Sequence, residues 1–153
     1  MKLTILLIFF SISAWCQNCS MIKVEIDKFD SSITKTSPIS NPCIFLKKIK
    51  KNGDTLVYLR LTALGRSLTV DAQGLIILFA NGTRIEHPEL KIKTKVSEGS
   101  EWKYIAFLRL SAGEITQLMN SPITDYRIYI YDTVVAKNDG ATNVNLLKCI
   151  MTD

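Results

Sequence analysis

From about residue 22 onward the chain is cut by turn-forming residues roughly every eight to twelve positions, and apolar and polar side chains alternate between the cuts. A period of two is that of an extended strand with one face turned inward, so the pattern predicts an antiparallel sandwich or barrel. Ile22, Val24 and Ile26 alternate with Lys23, Glu25 and Asp27, giving a first strand with an inward apolar face. Ser31 to Pro42 holds two prolines and several hydroxyl residues and reads as a connection. Cys43 to Ile49 and Leu56 to Ala63 flank Lys51-Asn52-Gly53-Asp54, a hairpin in which Asn52 and Gly53 can take the positive φ that a tight turn between twisted strands needs. In its second arm Val57, Leu59, Leu61 and Ala63 point one way, and Tyr58, Arg60 and Thr62 the other.

Further on, Ser67 to Val70 reads as a short strand, and Leu75 to Phe79, apolar throughout, as a central strand covered on both faces. Asn81-Gly82 turns the chain into Thr83 to His87, an arm ended by Pro88. Leu90, Ile92, Thr94 and Val96 alternate with Lys91, Lys93 and Lys95 on one further strand, and Trp102 to Leu110 forms another. One short helix is expected near residues 112–119. Ser111 and Glu114 form a capping box at its start, Ile115, Leu118 and Met119 share a face, and Pro122 stops it. Asp125 to Val135 reads as a strand, Asn138 to Asn143 as a polar loop, and Val144 to Met151 as a final strand or edge segment.

The N-terminus follows another logic. Lys2 precedes a short apolar run, Leu3 to Phe10, and then small residues, with Ala14 and Cys16 three positions and one position before a cut that would free Gln17. A spanning helix needs about 20 apolar residues, so this run reads as a cleavable secretory signal over residues 1–16. A buried strand and a lipid anchor on Cys16 are the alternatives; bulky Trp15 in front of Cys16 argues against the anchor. The remaining residues 17–153 suffice for a single domain. With 47% hydrophobic and 22% charged residues the chain has the composition of an ordinary globular protein. The net charge of +5 becomes +4 when Lys2 leaves with the signal, a mild balance that does not approach the dense basic face of a nucleic-acid binder.

Three cysteines remain after such a cut, Cys19, Cys43 and Cys149, and in an oxidising compartment two of them are expected to join. Three pairings are open. Cys19 with Cys149 is the favoured one, since it would tie down both ends of the domain and leave Cys43 as a buried free thiol. No close pair occurs among these three cysteines and His87 is the only histidine, so no metal site and no cofactor are expected.

Two clusters have binding chemistry. Lys91, Lys93 and Lys95 line one side of a strand, and Lys47, Lys48, Lys50 and Lys51 crowd a hairpin; together they could hold anionic polymer or lipid, although surface lysines on strands also serve simply to block edge pairing. Aromatics are not interleaved with them along the sequence, as stacking on nucleic acid would require. Tyr126, Tyr129 and Tyr131, with Trp102 and Tyr104, form an aromatic-rich patch. If Tyr129 and Tyr131 share an outward face they could stack on a sugar ring or anchor a protein, the alternative being packing within the sheet. His87, between Glu86 and Pro88, reads as an exposed histidine, and no catalytic set accompanies it.

The segments Ile22 to Asp30, Ser121 to Tyr129 and Leu147-Lys148-Cys149 resemble small secreted β-sandwich proteins of the Bacteroidetes type, a group without assigned activity. The resemblance implies an all-β, antiparallel immunoglobulin-like β-sandwich and a periplasmic or secreted location; it carries no catalytic residue. The expectation is an exported, non-enzymatic binding or protein-interaction module of the bacterial envelope. The partner is a protein or another envelope component, not nucleic acid, and the mature chain has no transmembrane segment. A surface glycan- or lipid-binding protein is the alternative, and an enzyme of unfamiliar design the third reading.

Overall fold

Strong alternation makes strands wherever the partner strand can be reached, and the computed structural model, which describes residues 19–38, 44–97 and 99–152, contains ten. Residues 1–16, expected to be a signal, and Cys43 lie outside the described residues. A six-stranded antiparallel sheet has the order β1 (Lys23–Ile26), β2 (Ile33–Thr36), β3 (Ile44–Lys51), β4 (Asp54–Gly65), β8 (Trp102–Arg109), β7 (Lys93–Val96). A four-stranded antiparallel sheet has the order β10 (Tyr131–Val134), β9 (Ile123–Ile128), β5 (Gln73–Phe79), β6 (Arg84–Lys91). Two helices, α1 (Ala112–Asn120) and α2 (Lys137–Met151), complete the fold.

The core fills with the inward rows of both sheets. Leu59 and Leu61 of β4, Tyr104 and Ala106 of β8, Leu75 and Ile77 of β5 and Ile128 of β9 are each at most 1% exposed. Burying a side chain of Leu or Ile size contributes roughly 1.5–3 kcal/mol, so these rows supply the main drive for folding. The Asn52-Gly53 turn is as expected, with φ of 50° and 87°. Gly82 likewise has φ 80°, and the side chain of Asn81 accepts from the Thr83 backbone N–H.

The structure corrects the expected layout in several places. Ile33–Thr36, expected within a connection, is β2: its branched Ile and Thr residues pair with β1 on one side and β3 on the other. β1 is an edge strand, so Val24 and Ile26 are 53% and 70% exposed instead of buried. Ser67–Val70 forms no strand, because side chains take its backbone groups: the Tyr104 hydroxyl donates to Ser67 O and accepts from Thr69 N, and Thr94 Oγ1 donates to Thr69 O. β5 is central in its sheet, yet only one of its faces is covered, and Leu78 on the other is 40% exposed.

Pro88 does not end its arm. β6 is an edge strand and runs through the proline, whose missing N–H faces no ladder on the open side. Asp125–Val135 is a hairpin rather than one strand: Tyr129, at φ 57°, turns β9 back as β10, with Ile128 opposite Tyr131.

The largest correction is α2, where a polar loop and a final strand were expected. Leu146, Leu147 and Ile150 are buried together with Gly140, while Asn138, Ala141 and Asn145 face solvent, a spacing of three and four. A helix buries these apolar residues on one side; a strand would divide them between two faces. Gly140 admits the close approach, since a Cβ there would stand 2.7 Å from the Ile123 carbonyl oxygen. At the other end Lys48, only 5% exposed, donates to Met151 O and Lys35 donates to Thr152 O. These bonds satisfy carbonyls left open at the helix terminus, where positive charge is also favoured. Cys149 of α2 faces Cys19 at disulfide distance, their Cα atoms 5.4 Å apart, which is the favoured pairing.

Candidate functional site

The outer face of the six-stranded sheet is built by the residues that alternate with the core rows. Four cross-strand rows run across it. Lys23, Thr36, Lys47, Tyr58 and Arg109 form the first, Phe45, Arg60 and Phe107 the second. Thr62, Ile105 and Lys93 make the third, Leu64, Lys103 and Lys95 the fourth. No described residue in these rows is acidic. Glu25 lies in the next row, beside Lys23, whose hydrogen bond and charge hold its carboxyl below the ordinary range.

Aromatic and basic groups are interleaved here in space. Tyr58 and Phe107, diagonal neighbours on β4 and β8, stack with centroids 5.1 Å apart and planes at 19°. The Arg60 guanidinium lies over the Phe45 ring, 4.7 Å from its centroid, a cation–π arrangement. Phe107 is 45% exposed and Leu64 51%, so these two apolar side chains are open to a partner, while Phe45 and Tyr58 are half-buried. Past the end of β3, β4 continues without a described neighbour on that side, and β10 of the other sheet rises next to it. The Tyr126 hydroxyl donates to Thr62 O at 2.6 Å. The step encloses an open groove of about 680 Å³, floored by Arg60, Thr62, Leu64, Lys103 and Ile105 and rimmed by Asp132, Thr133 and Val134. Asp132 on that rim is engaged by Arg127 through two hydrogen bonds, of 2.5 and 2.8 Å, which hold its carboxyl below the usual range.

The residues singled out in the sequence divide. Lys93 and Lys95 are exposed on β7 and belong to this face, but Lys91 ends β6 in the other sheet: the chain changes sheets at buried Ile92, whose N–H bonds Ala72 O. Tyr129 and Tyr131 do not share an open strand face. Tyr129 sits in the β9–β10 turn, and both rings are half-buried against Tyr104, at centroid distances of 6.4 and 4.6 Å. A Cβ on Gly65 would stand 2.3 Å from the Tyr131 ring, so the glycine makes room for that packing.

Phe45, Tyr58, Arg60, Lys103, Phe107 and Arg109 were missed. The Asn52-Gly53 turn fixes the β3–β4 register, and with it the meeting of Phe45 with Arg60 and of Lys47 with Tyr58. Nothing local announces that β8 pairs with β4, so Phe107 and Arg109 could not be placed.

His87 is not simply exposed. Its Nε2 lies 2.6 Å from Glu114 Oε1, while Glu114 Oε2 accepts from both the N–H and the hydroxyl of Ser111. Serine and histidine therefore stand on opposite sides of the acid. Nucleophilic catalysis needs the histidine between serine and acid, and this group is a helix cap tied to β6. The site is thus an open cationic and aromatic sheet surface, and comparison of the chain with protein families, curated proteins and solved structures finds no match.

Proposed function

We propose that the protein is an exported, non-enzymatic binding module of the bacterial envelope that holds an acidic polysaccharide on the outer face of its six-stranded sheet. The observation that carries this reading is the set of four cross-strand rows in which basic side chains alternate with Phe45, Tyr58 and Phe107 and no described residue is acidic. Guanidinium and ammonium groups recognise carboxylate or sulfate by charge-assisted hydrogen bonds, and Arg60 adds the flat geometry of a two-pronged donor. The exposed Phe107 ring, with half-buried Tyr58 stacked on it, offers a surface for a sugar face. The groove beside β10, at about 680 Å³, has room for sugar residues and not only for a single ion. An immunoglobulin-like scaffold, the likeness to secreted proteins of the Bacteroidetes type and a periplasmic or secreted location belong to the same reading. It is supported by two antiparallel sheets around one core, by the Cys19–Cys149 pair and by the lack, among the described residues, of a helix able to cross a membrane.

The test is retention of the protein on immobilised polyuronate or sulfated glycan compared with neutral dextran, across a salt series. Retention on the acidic polymers that falls with salt is expected. Arg60→Glu with Lys103→Glu should weaken it by about tenfold or more, the effect of losing charge-assisted bonds of ~1.5–3 kcal/mol each. Tyr129→Ala and Tyr131→Ala should leave it in place, provided that the variants still fold. Equal retention on dextran, or binding only to acidic protein or oligonucleotide, would overturn the polysaccharide assignment.

A further inference from the structure

Among the described residues the outer edge of β1 faces no strand and has a self-complementary pattern, and we infer that it pairs with the β1 strand of a second copy to make a two-fold dimer with one continuous sheet. β1 is terminal in its sheet and carries exposed apolar side chains, Val24 at 53% and Ile26 at 70%. Its backbone is oriented for pairing. Asp27 N–H donates to Ser32 O, toward β2, so by the alternation of an antiparallel ladder Val24 and Ile26 turn their N–H and C=O groups to the open edge.

The sequence Ile22-Lys23-Val24-Glu25-Ile26 then selects a register. With Val24 opposite Val24 of the second copy, Lys23 meets Glu25 on both sides of the two-fold axis, and Ile26 comes opposite Ile22, whose own N–H already bonds Cys19 O. Every cross-strand pair is apolar with apolar or positive with negative, the combinations that stabilise neighbouring strands. A shift by one residue would turn the apolar row to the opposite face. Within one copy Lys23 and Glu25 are already 2.5 Å apart, with side chains 71% and 58% exposed, so both charges stand at the rim where the second strand would arrive. An axis perpendicular to the sheet keeps the two outer faces on the same side. The basic and aromatic rows of the two copies then form a single surface, although the pairing itself does not depend on any ligand.

Sedimentation equilibrium of the purified protein over a wide concentration range tests the pairing. A monomer–dimer equilibrium is expected, together with protection from exchange at the amides of Val24 and Ile26. Lys23→Glu sets glutamates against each other at both pairs and should raise the dimer dissociation constant by about tenfold or more. Lys23→Glu with Glu25→Lys restores opposite charges and should restore the dimer. Thermal melting of each variant checks that the fold is retained, as the exposure of both side chains leads one to expect. A monomer at every concentration, a dimer indifferent to Lys23→Glu, or a loss that the charge swap does not repair would overturn the inference.

Discussion

Tyr104 shows how one side chain can replace a strand. Its ring is fully buried, and its hydroxyl, 2.5 Å from Ser67 O and 3.0 Å from Thr69 N, organises the segment between β4 and β5 that was expected to pair in a ladder. Tyr104→Phe keeps the packing and leaves those two backbone groups without that partner, so it should cost about 1–3 kcal/mol in chemical denaturation and speed amide exchange at Thr69. Glu114 gives a second expectation. Burial pushes its carboxyl up, but hydrogen bonds from the Ser111 side chain and backbone and from His87 outweigh it and leave the carboxyl below its ordinary value of 4.5. A carboxyl lowered by folding stabilises the native state fully above its unfolded pKa, and that contribution is lost as the pH falls through the lower folded value. Urea denaturation between pH 6 and pH 3 should therefore show a declining midpoint, and Glu114→Gln should flatten part of the decline.

At the level of elements, the strands were legible where turn chemistry and alternation agreed, and obscure where a long-range partner decided the outcome. The β3–β4 hairpin follows from Asn52-Gly53 and the alternation of its arms, and α1 from Ser111 and Glu114. Residues 137–151 were misread because Asn138, Asp139 and Gly140 look like a loop and Ala136 supplies no side-chain cap. What selects helix there is tertiary: an apolar stripe of Leu146, Leu147 and Ile150, the cover of β9 over Gly140, and Lys35 and Lys48 at the far end. The candidate site was legible only in part for the same reason. Lys93 and Lys95 stand out along the chain, whereas the interleaving of aromatic with basic groups exists only across strands, and half of it requires the β4–β8 pairing. The Cys19–Cys149 link fastens α2 to the start of the fold. Closing so long a loop, with cysteines 130 positions apart, restricts the unfolded chain, so Cys19→Ser with Cys149→Ser should lower stability by about 3–5 kcal/mol against the oxidised protein, read from denaturant midpoints and slopes.

Over the whole molecule, the two sheets divide their duties. Their inner rows make a shared core, and four neighbouring rows on the outer face of the larger sheet carry, among the described residues, basic but no acidic side chains. The same sulfur link has a mechanical consequence. Cys19 precedes β1 and Cys149 lies in the last turn of α2, so tension pulling on the chain outside these two points travels through the sulfurs. The β-ladders between them bear no load while that bond is intact.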